Sequence, residues 1–457
     1  MIHTGEIEME TLRITIRQMI LDNQQLALKD SFIKREMIVE RIFRKATIIT
    51  GIRRAGKSSY LRLHMQFLLT QGVPLENLCI LDFSDDRLFG LRNEEPAIIA
   101  DVYYSLFPEK TEEKVYFFFY EIQYLYHWEL FVNRLQTTRS CEVNITGSSA
   151  KLLVKEIATE FGGRSLSWEL FPFSFTEFIS TKQHIRKLPT INRMSSDDEK
   201  FCRQWFDEYM KVGGFPESIF ISDDSTRVRF LQNLAETVVF RDVIKRYNLG
   251  NPNEIWRLMQ LLLNQMGGLT SFSKMKQRMA GEQYRISAEM VKLATDYFED
   301  TYLVFPIEIF SMNTAVRSTN PKKIYCVDHA LAMSVAEKLT PDYGKILENI
   351  VFIHLRHVTD RIYYVKTASG KEVDFVTAPS GATITEQTPI KLWQVCYEME
   401  KSSTLNREIS ALQEAMLMYN ITESYIITYD TEKTITKDKL IIQVIPVWRF
   451  LLTPLMV

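Results

Sequence analysis

Short apolar runs alternate with amphipathic stretches over the first 180 or so residues of the chain. Four of these runs are typical of buried strands: ATIIT, NLCILD, VYFFFY and CEVNIT. Between them, stretches such as SSYLRLHMQFLL place apolar residues at helical spacing. Strands that alternate with helices indicate a parallel sheet. We therefore predict an α/β domain over residues 46–182, preceded by a polar helical segment over residues 1–45 that ends in the amphipathic REMIVERIFR.

The pattern changes twice in the rest of the chain. The polar stretch TKQHIRKLPTINRMSSDDEK is the best candidate for a linker, so residues 183–250 are predicted to hold a linker and a helical lid. Residues 251–315 follow the order helix, turn, helix and short hairpin, which suggests a winged-helix unit. Residues 316–457 return to mixed strands and helices, which predicts a second, smaller α/β domain.

The composition fits a globular chain of several domains, because 457 residues are too many for one core. The net charge is -2, so any nucleic-acid surface has to be local. Five scattered cysteines without a CxxC pair argue against a zinc module or a disulfide framework and suit a reducing cytoplasm. We find neither a signal-peptide pattern nor an apolar run long enough for a membrane span, so we expect a cytoplasmic protein without membrane contact.

The segment GIRRAGKS fits the phosphate-loop pattern G-x-x-x-x-G-K-[ST]. Its glycines let backbone N–H groups point at phosphate oxygens, and the next helix presents its N-terminus to the same anion. Lys57 is then expected to neutralise the β- and γ-phosphates, and Ser58 to ligate Mg²⁺. We predict ATP and Mg²⁺ as ligands. The predicted nucleotide-binding residues of the loop are Gly51, Ile52, Arg53, Arg54, Ala55, Gly56, Lys57, Ser58 and Ser59.

The chain resembles a known family, the AAA+ type ATPases that carry a C-terminal DUF4143 region. The matching stretches are, in order, TGIRRAGKSS, FFFYEIQYLYHWE, NITGSSAKLL, EFGGRSLSWELFPFSFTEF, VGGFPES, ENIVFIHLR, EVDFV and QVCYE. This ordered series covers most of the chain and is more specific than any single motif. The resemblance implies a P-loop AAA+ like parallel sheet with a helical lid, a winged-helix unit and a small C-terminal PD-(D/E)XK-like α/β domain.

The resemblance also assigns roles to single residues. Glu121 matches the Walker B glutamate, the general base that orients the attacking water. Ser148 matches a sensor position near the γ-phosphate. Arg164 matches a position that can supply an arginine finger, either to a neighbouring site or to its own. A surface arginine in a glycine turn is an equally weighted alternative for Arg164.

One position departs from the family pattern. The family has aspartate where this chain has Tyr120, and a phenol with an ordinary pKa near 10 adds no negative charge opposite Mg²⁺. We therefore expect ATP binding with slow hydrolysis. Asp82, Asp85 and Asp86 close the second strand and are candidates for a substitute carboxylate. The competing class is a pseudo-ATPase interaction scaffold without useful nucleotide chemistry.

The C-terminal region resembles the PD-(D/E)XK nuclease fold, in which a helical glutamate, a strand aspartate and an E-x-K pair gather Mg²⁺ and activate water. The matching positions are, in that order, Glu348, Asp374, Gln394 and Cys396. The amide and the thiol replace the carboxylate and the lysine of the pair, which implies a degenerate site. An ATP-gated DNA nuclease, the alternative, needs a lysine from elsewhere, such as Lys366 or Lys371.

Partners other than ATP are less well defined. The expected recognition helix SAEMVKLATDYFED is rich in acids, whereas the preceding SKMKQR carries Lys274, Lys276 and Arg278. DNA is one candidate partner of this unit, and a protein partner or a second copy of the chain is the favoured alternative. His354 and His357 lie one helical turn apart, but they lack ligand partners at metal spacing and are expected to be surface or core residues.

Overall fold

The computed structural model describes residues 2–26, 32–93, 96–147, 163–182, 186–187, 189–337, 340–381, 384–385, 387–397 and 402–454. The chain divides into two compact units, Met1–Leu170 and Phe171–Val457. Among the described helices, none combines the length and the apolar character that crossing a membrane requires.

The first unit contains a five-stranded parallel sheet in the order β2-β3-β4-β1-β5, which includes the four predicted strands and adds β5. Its strands are β1 Ala46–Thr50, β2 Leu78–Asp82, β3 Val115–Tyr120, β4 Cys141–Thr146 and β5 Ser165–Glu169. Its described helices are α1 Ile2–Leu26, α2 Lys57–Thr70, α3 Ala97–Leu106 and α4 Trp128–Thr138. Because all strands are parallel, the segments that follow β1 and β3 leave the sheet at the same edge.

The aromatic run of β3 fills both faces of this sheet. Phe117 and Phe119 pack into the cluster on the side of α1, α3 and α4, whereas Phe118 packs on the opposite side against Leu61 and Met65 of α2. This division follows from the alternation of side chains along a strand. A strand that is covered on both faces needs a continuous apolar sequence, which explains why VYFFFY shows no polar alternation.

The prediction for the N-terminal segment is confirmed only in part. Helix α1 is present, but residues 32–45 contain no helix, so the interpretation of REMIVERIFR as an amphipathic helix is wrong. Two side-chain bonds hold this segment against the start of α2 instead. Arg35 Nη1 donates to the carbonyl of Ala55 at 2.9 Å, and the Tyr60 hydroxyl donates to the carbonyl of Met37 at 3.2 Å. Tertiary contacts here outweigh the local helical pattern.

The second unit begins with helices. They are α5 Phe175–Thr181, α6 Ser196–Val212, α7 Pro216–Ile219 and α8 Asp224–Thr237, which continues as a π-helix over Val238–Lys245. Within the predicted turn VGGFPES, residues 213–215 separate α6 from α7. Gly213 has φ 74°, and a Cβ there would lie 2.6 Å from the Asp328 carboxylate, which accepts a bond from the N–H of Gly214 at 2.7 Å. Glycine is therefore required at this turn.

A small antiparallel sheet in the order β6-β8-β7 follows. Its elements are α9 Pro252–Asn264, β6 Leu269–Thr270, α10 Phe272–Gly281, α11 Ala288–Asp300, β7 Val304–Ile307, α12 Thr314–Thr319 and β8 Lys322–Cys326. The boundary that we predicted after residue 315 falls between β7 and β8, which pair with each other. The predicted boundary is therefore misplaced, because it assigns β8 to a different domain from the strand with which it pairs.

A six-stranded sheet in the order β13-β14-β12-β11-β10-β9 completes the chain. Its elements are α13 His329–Val335, α14 Tyr343–Arg356, β9 Ile362–Lys366, β10 Glu372–Thr377, β11 Lys391–Cys396, α15 Ser402–Met418, β12 Glu423–Thr428, β13 Lys433–Lys437, β14 Leu440–Pro446 and α16 Val447–Leu452. Strands β9, β10 and β11 pair antiparallel, and β11, β12 and β14 pair parallel. Strands β13 and β14 extend the sheet beyond the elements predicted from the sequence.

Candidate functional site

The loop between β1 and α2 has the backbone that a phosphate loop needs. Gly51 has φ 143°, and a Cβ there would lie 2.2 Å from the carbonyl oxygen of Leu170, so no other residue fits without a shift of the backbone. Gly56 has φ 98° and directly precedes α2. No side chain of the described residues caps the N-terminus of this 14-residue helix, a feature that suits an anion.

Lys57 is folded back over its own loop. Its Nζ donates to the carbonyl oxygens of Gly51 and Ile52 at 2.8 and 2.9 Å, and the residue is 5% exposed. The ammonium is thus solvated by the backbone that would surround a phosphate, and it can exchange these carbonyls for phosphate oxygens. Arg35 holds the same loop through Ala55. The contact of Arg35 with the phosphate loop was not predicted, because the segment that carries Arg35 was expected to be helical.

Glu121 sits in a strained turn directly after β3. Its φ of 48° and ψ of 47° lie in the left-handed region, which costs a non-glycine residue about 1–2 kcal/mol. The backbone N–H donates to Thr146 Oγ1 at 3.2 Å, and Glu121 Oε2 accepts from Gln123 Nε2 at 2.6 Å. These bonds fix the carboxylate at the edge of the sheet where the phosphate loop lies, the position that suits a general base.

Tyr120 closes one wall of a cavity of about 230 Å³ whose other walls include Ser58, Arg62 and Asp82. Its side chain is 5% exposed, and its hydroxyl makes no hydrogen bond of standard geometry with a described residue. Burial raises the pKa of this hydroxyl, and the neighbouring Arg62 guanidinium opposes the shift without cancelling it. The phenol is therefore neutral at pH 7, as the sequence predicts.

Two predicted site residues outside the phosphate loop are Ser148 and Arg164. Ser148 lies outside the described residues, so its sensor role stays a prediction. Arg164 precedes β5, and its carbonyl accepts from the N–H of Ala46, the first residue of β1, at 2.9 Å. Its guanidinium donates to Asn133 Oδ1 at 2.7 Å. The phosphate loop follows the other end of β1, so the structure does not bring Arg164 to the loop of its own chain.

Three carboxylates of the C-terminal region converge on one lysine of β8. Lys323 Nζ lies 2.9 Å from Glu348 Oε1, 2.7 Å from Glu372 Oε1 and 2.9 Å from Asp374 Oδ1. Lys323 is 1% exposed. Burial by itself lowers the pKa of this ammonium, but the surrounding carboxylates outweigh burial and hold the pKa well above its usual value. The lysine is therefore charged and acts as the cation of this acid cluster, which we define as Glu348, Glu372 and Asp374.

Further donors use the remaining oxygens of the acid cluster. Glu348 accepts from the Tyr325 hydroxyl at 2.6 Å on Oε1 and from Lys345 Nζ at 3.1 Å on Oε2. Asp374 Oδ2 accepts from the N–H of Val395 at 3.0 Å. Within the described ranges, no group of three or more His, Cys, Asp and Glu residues has a geometry suited to a metal ion. The carboxylates are compensated by lysines, a hydroxyl and backbone.

The two residues that replace the E-x-K pair lie on β11 beside the acid cluster. Gln394 Oε1 accepts from the N–H of Asp374 at 3.2 Å, and its Nε2 donates to Glu408 Oε2 at 2.6 Å. Cys396 is buried on the same face of the strand. Glu348, Asp374, Gln394 and Cys396 all line one cleft.

Of the two lysines suggested as examples for the missing position, Lys366 and Lys371, neither is among the described ion-pair partners of the acid cluster. Lys366 is exposed at the end of β9, and Lys371 Nζ donates to Ser410 Oγ at 2.6 Å. Lys323 enters the acid cluster instead. It lies 25 residues before Glu348 and 51 before Asp374, so no spacing rule of a nuclease motif points to it.

The acid cluster lies at the wall of a wide cleft of about 1370 Å³ that Lys345, Lys371 and Arg407 also line.

His354 was expected to be a surface or core residue and not a metal ligand. The ring of the half-buried His354 packs on Phe450 with centroids 4.8 Å apart, and burial of the imidazole lowers its pKa to about 3.

Helix α10 exposes three basic side chains to solvent. Its buried residues are Met275 and Met279, whereas Lys274, Lys276 and Arg278 are exposed. The candidate basic residues of this unit are therefore accessible to a partner.

Two family models match parts of this chain. Residues 43–179 match the model described as the AAA domain, and residues 203–342 match a domain of unknown function, DUF8612. The AAA-type ATPase-like domain predicted from the phosphate loop is thus confirmed. The DUF4143, winged-helix and PD-(D/E)XK-like assignments stay predictions.

Two relatives are similar over most of the chain. The uncharacterized protein MJ1544 of Methanocaldococcus jannaschii is 30% identical over 452 residues, which cover 96% of each chain. An uncharacterized protein of Haemophilus influenzae is 26% identical over 358 residues, 77% of this chain and 84% of that protein. Among solved structures, the Walker-type ATPase PABY2304 of Pyrococcus abyssi is 15% identical with a TM-score of 0.41, over 64% of this chain and 90% of that one.

Proposed function

This chain belongs to the family of the uncharacterized protein MJ1544 of Methanocaldococcus jannaschii, and we propose that its AAA domain binds Mg²⁺·ATP and hydrolyses it slowly. One observation carries the proposal: an intact phosphate loop and the base Glu121 stand beside a neutral, buried Tyr120. Bound nucleotide then acts mainly as a conformational ligand, because a ligand that prefers one conformation shifts the population toward it.

The residues of the loop divide the work of holding the nucleotide. Bound ATP supplies the γ-phosphoryl group, and Mg²⁺ neutralises part of its charge. Lys57 leaves the carbonyls of Gly51 and Ile52 and pairs with the β- and γ-phosphates. Ser58 is the second residue of α2, and its hydroxyl would ligate the Mg²⁺ ion there. Glu121, held by its bond from Gln123, orients the attacking water.

Tyr120 is the reason for slow hydrolysis. A carboxylate that interacts with a charged partner contributes about 1.5–3 kcal/mol, and the neutral phenol lacks this interaction. Such a loss corresponds to about 10- to 100-fold in rate when it is felt in the transition state. Binding survives because Gly51, Gly56, Lys57 and Ser58 do not depend on it.

Isothermal titration with ATP separates this function from a pseudo-ATPase scaffold. We expect the wild-type chain to bind ATP in the presence of Mg²⁺, and Lys57→Ala to bind at least about tenfold more weakly, since the loop loses the charge that faces the phosphates. A wild-type chain that gives no binding heat, or binds ATP as weakly as Lys57→Ala, supports the scaffold and contradicts the proposal.

Arg164 enters the proposal only through a homo-oligomer. In its own chain it lies beyond the amino end of β1, whereas the phosphate loop follows the carboxyl end. A neighbouring copy that docks this edge of the sheet against the loop would bring the guanidinium to the γ-phosphate of the other chain. The bond to Asn133 holds it at the surface for that role.

The C-terminal domain is, in this proposal, a PD-(D/E)XK-like fold without nuclease activity. Glu348 and Asp374 support the fold assignment because they meet as the resemblance implies. Gln394 is a weak, neutral ligand, and Cys396 supplies no fixed cation beside an attacking water. Lys323 already offsets part of the negative charge of the acid cluster, which leaves less charge for a divalent metal.

DNA binding by the predicted winged-helix unit is a second candidate function, and the exposed basic side chains of α10 favour it. The order α9-β6-α10-α11-β7-β8, with a three-stranded antiparallel sheet, supports the winged-helix assignment. Such basic side chains would contact phosphates and give affinity without sequence preference.

A further inference from the structure

The charge that position 120 lacks is present one strand away. Asp82 and Tyr120 are register partners at the carboxyl ends of β2 and β3. Neighbouring strands lie about 4.8 Å apart, so the Cα atoms of the two residues are separated by about one strand spacing at the same edge of the sheet. Both line the cavity of about 230 Å³ that Ser58 also lines.

Of the three acids that follow β2, the structure favours Asp82. Asp85 is engaged by Arg87, which donates Nε to Oδ1 at 3.0 Å and Nη2 to Oδ2 at 2.8 Å. Asp86 is not among the residues that line the cavity. Asp82 Oδ1 accepts both the N–H and the hydroxyl of Ser84, at 2.9 and 2.6 Å, which orients the carboxylate without using Oδ2.

We propose that Asp82 holds the Mg²⁺ that accompanies ATP, together with Ser58, in place of an aspartate at position 120. This inference rests on the proposed ATP binding. Mg²⁺ keeps several water ligands and takes one or two carboxylates plus substrate phosphates. The cavity has room for such waters, since each occupies about 30 Å³ in the liquid. Tyr120 also lines the cavity, and its buried hydroxyl, which makes no hydrogen bond of standard geometry with a described residue, is a partner for one of these waters.

The charges of the cavity wall determine when the metal binds. Asp82 and Asp85 are balanced there by Arg62 and Arg87. Because these charges balance, the wall alone attracts Mg²⁺ only weakly. We therefore expect the metal to bind together with the nucleotide and not before it. A metal anchored on β2 is also displaced by about one strand spacing from the position next to Glu121. Asp82 therefore accounts for metal-assisted binding together with slow hydrolysis.

The test compares ATP dissociation constants with excess Mg²⁺ and with EDTA. Wild type, Asp82→Asn and Asp85→Asn are titrated, the last as a control with the same charge change in the same loop. We expect Mg²⁺ to tighten ATP binding about tenfold in wild type and Asp85→Asn, and not in Asp82→Asn. The three EDTA values should agree. An undiminished Mg²⁺ effect in Asp82→Asn overturns the inference.

Two more outcomes keep the inference separate from the proposed function. If wild type binds ATP equally well in Mg²⁺ and EDTA, the inference fails and ATP binding stands. If wild type binds ATP in neither buffer, the proposed function fails. Should Asp82→Asn not fold, Asp82→Cys provides the second test, because a thiolate prefers a soft metal. We expect Cd²⁺ but not Mg²⁺ to tighten ATP binding there, and absence of a Cd²⁺ effect in the folded variant counts against Asp82.

Discussion

Lys323 Nζ and Asp374 Oδ1 lie 2.9 Å apart, although their strands belong to different sheets of the second unit. The lysine comes from β8 of the three-stranded sheet and the aspartate from β10 of the six-stranded sheet. Glu348 and Glu372 contact the same ammonium. The contact between Lys323 and Asp374 therefore balances charge and also links the two sheets. Removal of one partner of a buried ion pair is costly because the other charges stay behind.

Replacement of Lys323 by methionine should destabilise the protein in a pH-dependent way. We expect a loss of about 3–5 kcal/mol in the free energy of unfolding at pH 8, since the carboxylates lose their cation. Burial already raises the pKa of Asp374 to about 6, and Lys323 opposes that rise. Without the lysine, the pKa of Asp374 rises further, and the pKa of Glu348, which Lys323 and Lys345 now hold below its usual value against the effect of burial, rises as well. When a carboxyl group has a higher pKa in the folded protein than in the unfolded chain, the protein becomes more stable as the pH falls through the folded-state pKa.

The difference between Lys323→Met and wild type should therefore narrow between pH 8 and pH 5 in urea denaturation. Lys366→Met is the control, because Lys366 is exposed at the end of β9 and should change stability by no more than about 0.5 kcal/mol. An equal loss at both pH values, or a loss no larger than that of the control, contradicts the role given to Lys323.

Nuclease activity should be absent from the C-terminal domain. With Mg²⁺ or Mn²⁺ and ATP, we expect wild type to cut supercoiled plasmid no faster than Asp374→Asn, because Gln394 and Cys396 replace the carboxylate and the lysine that activate water. Gel electrophoresis of the plasmid measures the nicked and linear products. Metal-dependent cleavage that Asp374→Asn abolishes refutes this prediction and supports the ATP-gated nuclease, with Lys323 as the first candidate for its lysine.

The basic side chains of α10 can be tested through the salt dependence of duplex binding. Changing Lys274, Lys276 and Arg278 to glutamine should weaken binding and reduce the slope of log K against log salt by about 0.9 for each phosphate contact removed. Fluorescence anisotropy with a labelled duplex measures both. The control carries the same charge change at three exposed lysines of the last hairpin: Lys433, Lys437 and Lys439. Equal losses in both variants point to nonspecific charge attraction, and no loss in either favours a protein partner.

The sequence was sufficient for four strands of the first unit's sheet and for the phosphate loop. Strands β1, β2 and β3 are nearly continuous apolar runs because a parallel sheet covered on both faces demands them. The loop glycines are required locally, at Gly51 by the carbonyl of Leu170. Such features depend on the residues of the element itself, and a sequence pattern records them.

Features that depend on distant partners were missed or left open. The segment around Arg35 has a helical pattern, yet its bond to Ala55 holds it against the phosphate loop. Lys323 has no spacing relation to the acids that it contacts. The choice among the three acids after β2 needed the register between Asp82 and Tyr120, which only the paired strands provide.

The steady-state ATPase rate of wild type against Tyr120→Asp tests the central claim, that a neutral tyrosine slows an otherwise complete ATP site. Tyr120→Phe keeps the aromatic ring without a carboxylate and serves as the matched control, and Lys57→Ala gives the background. We expect wild type and Tyr120→Phe to turn over slowly, and Tyr120→Asp about 10- to 100-fold faster. Wild-type turnover at an ordinary rate of about 1 s⁻¹ or more, with no increase in Tyr120→Asp, would contradict the account.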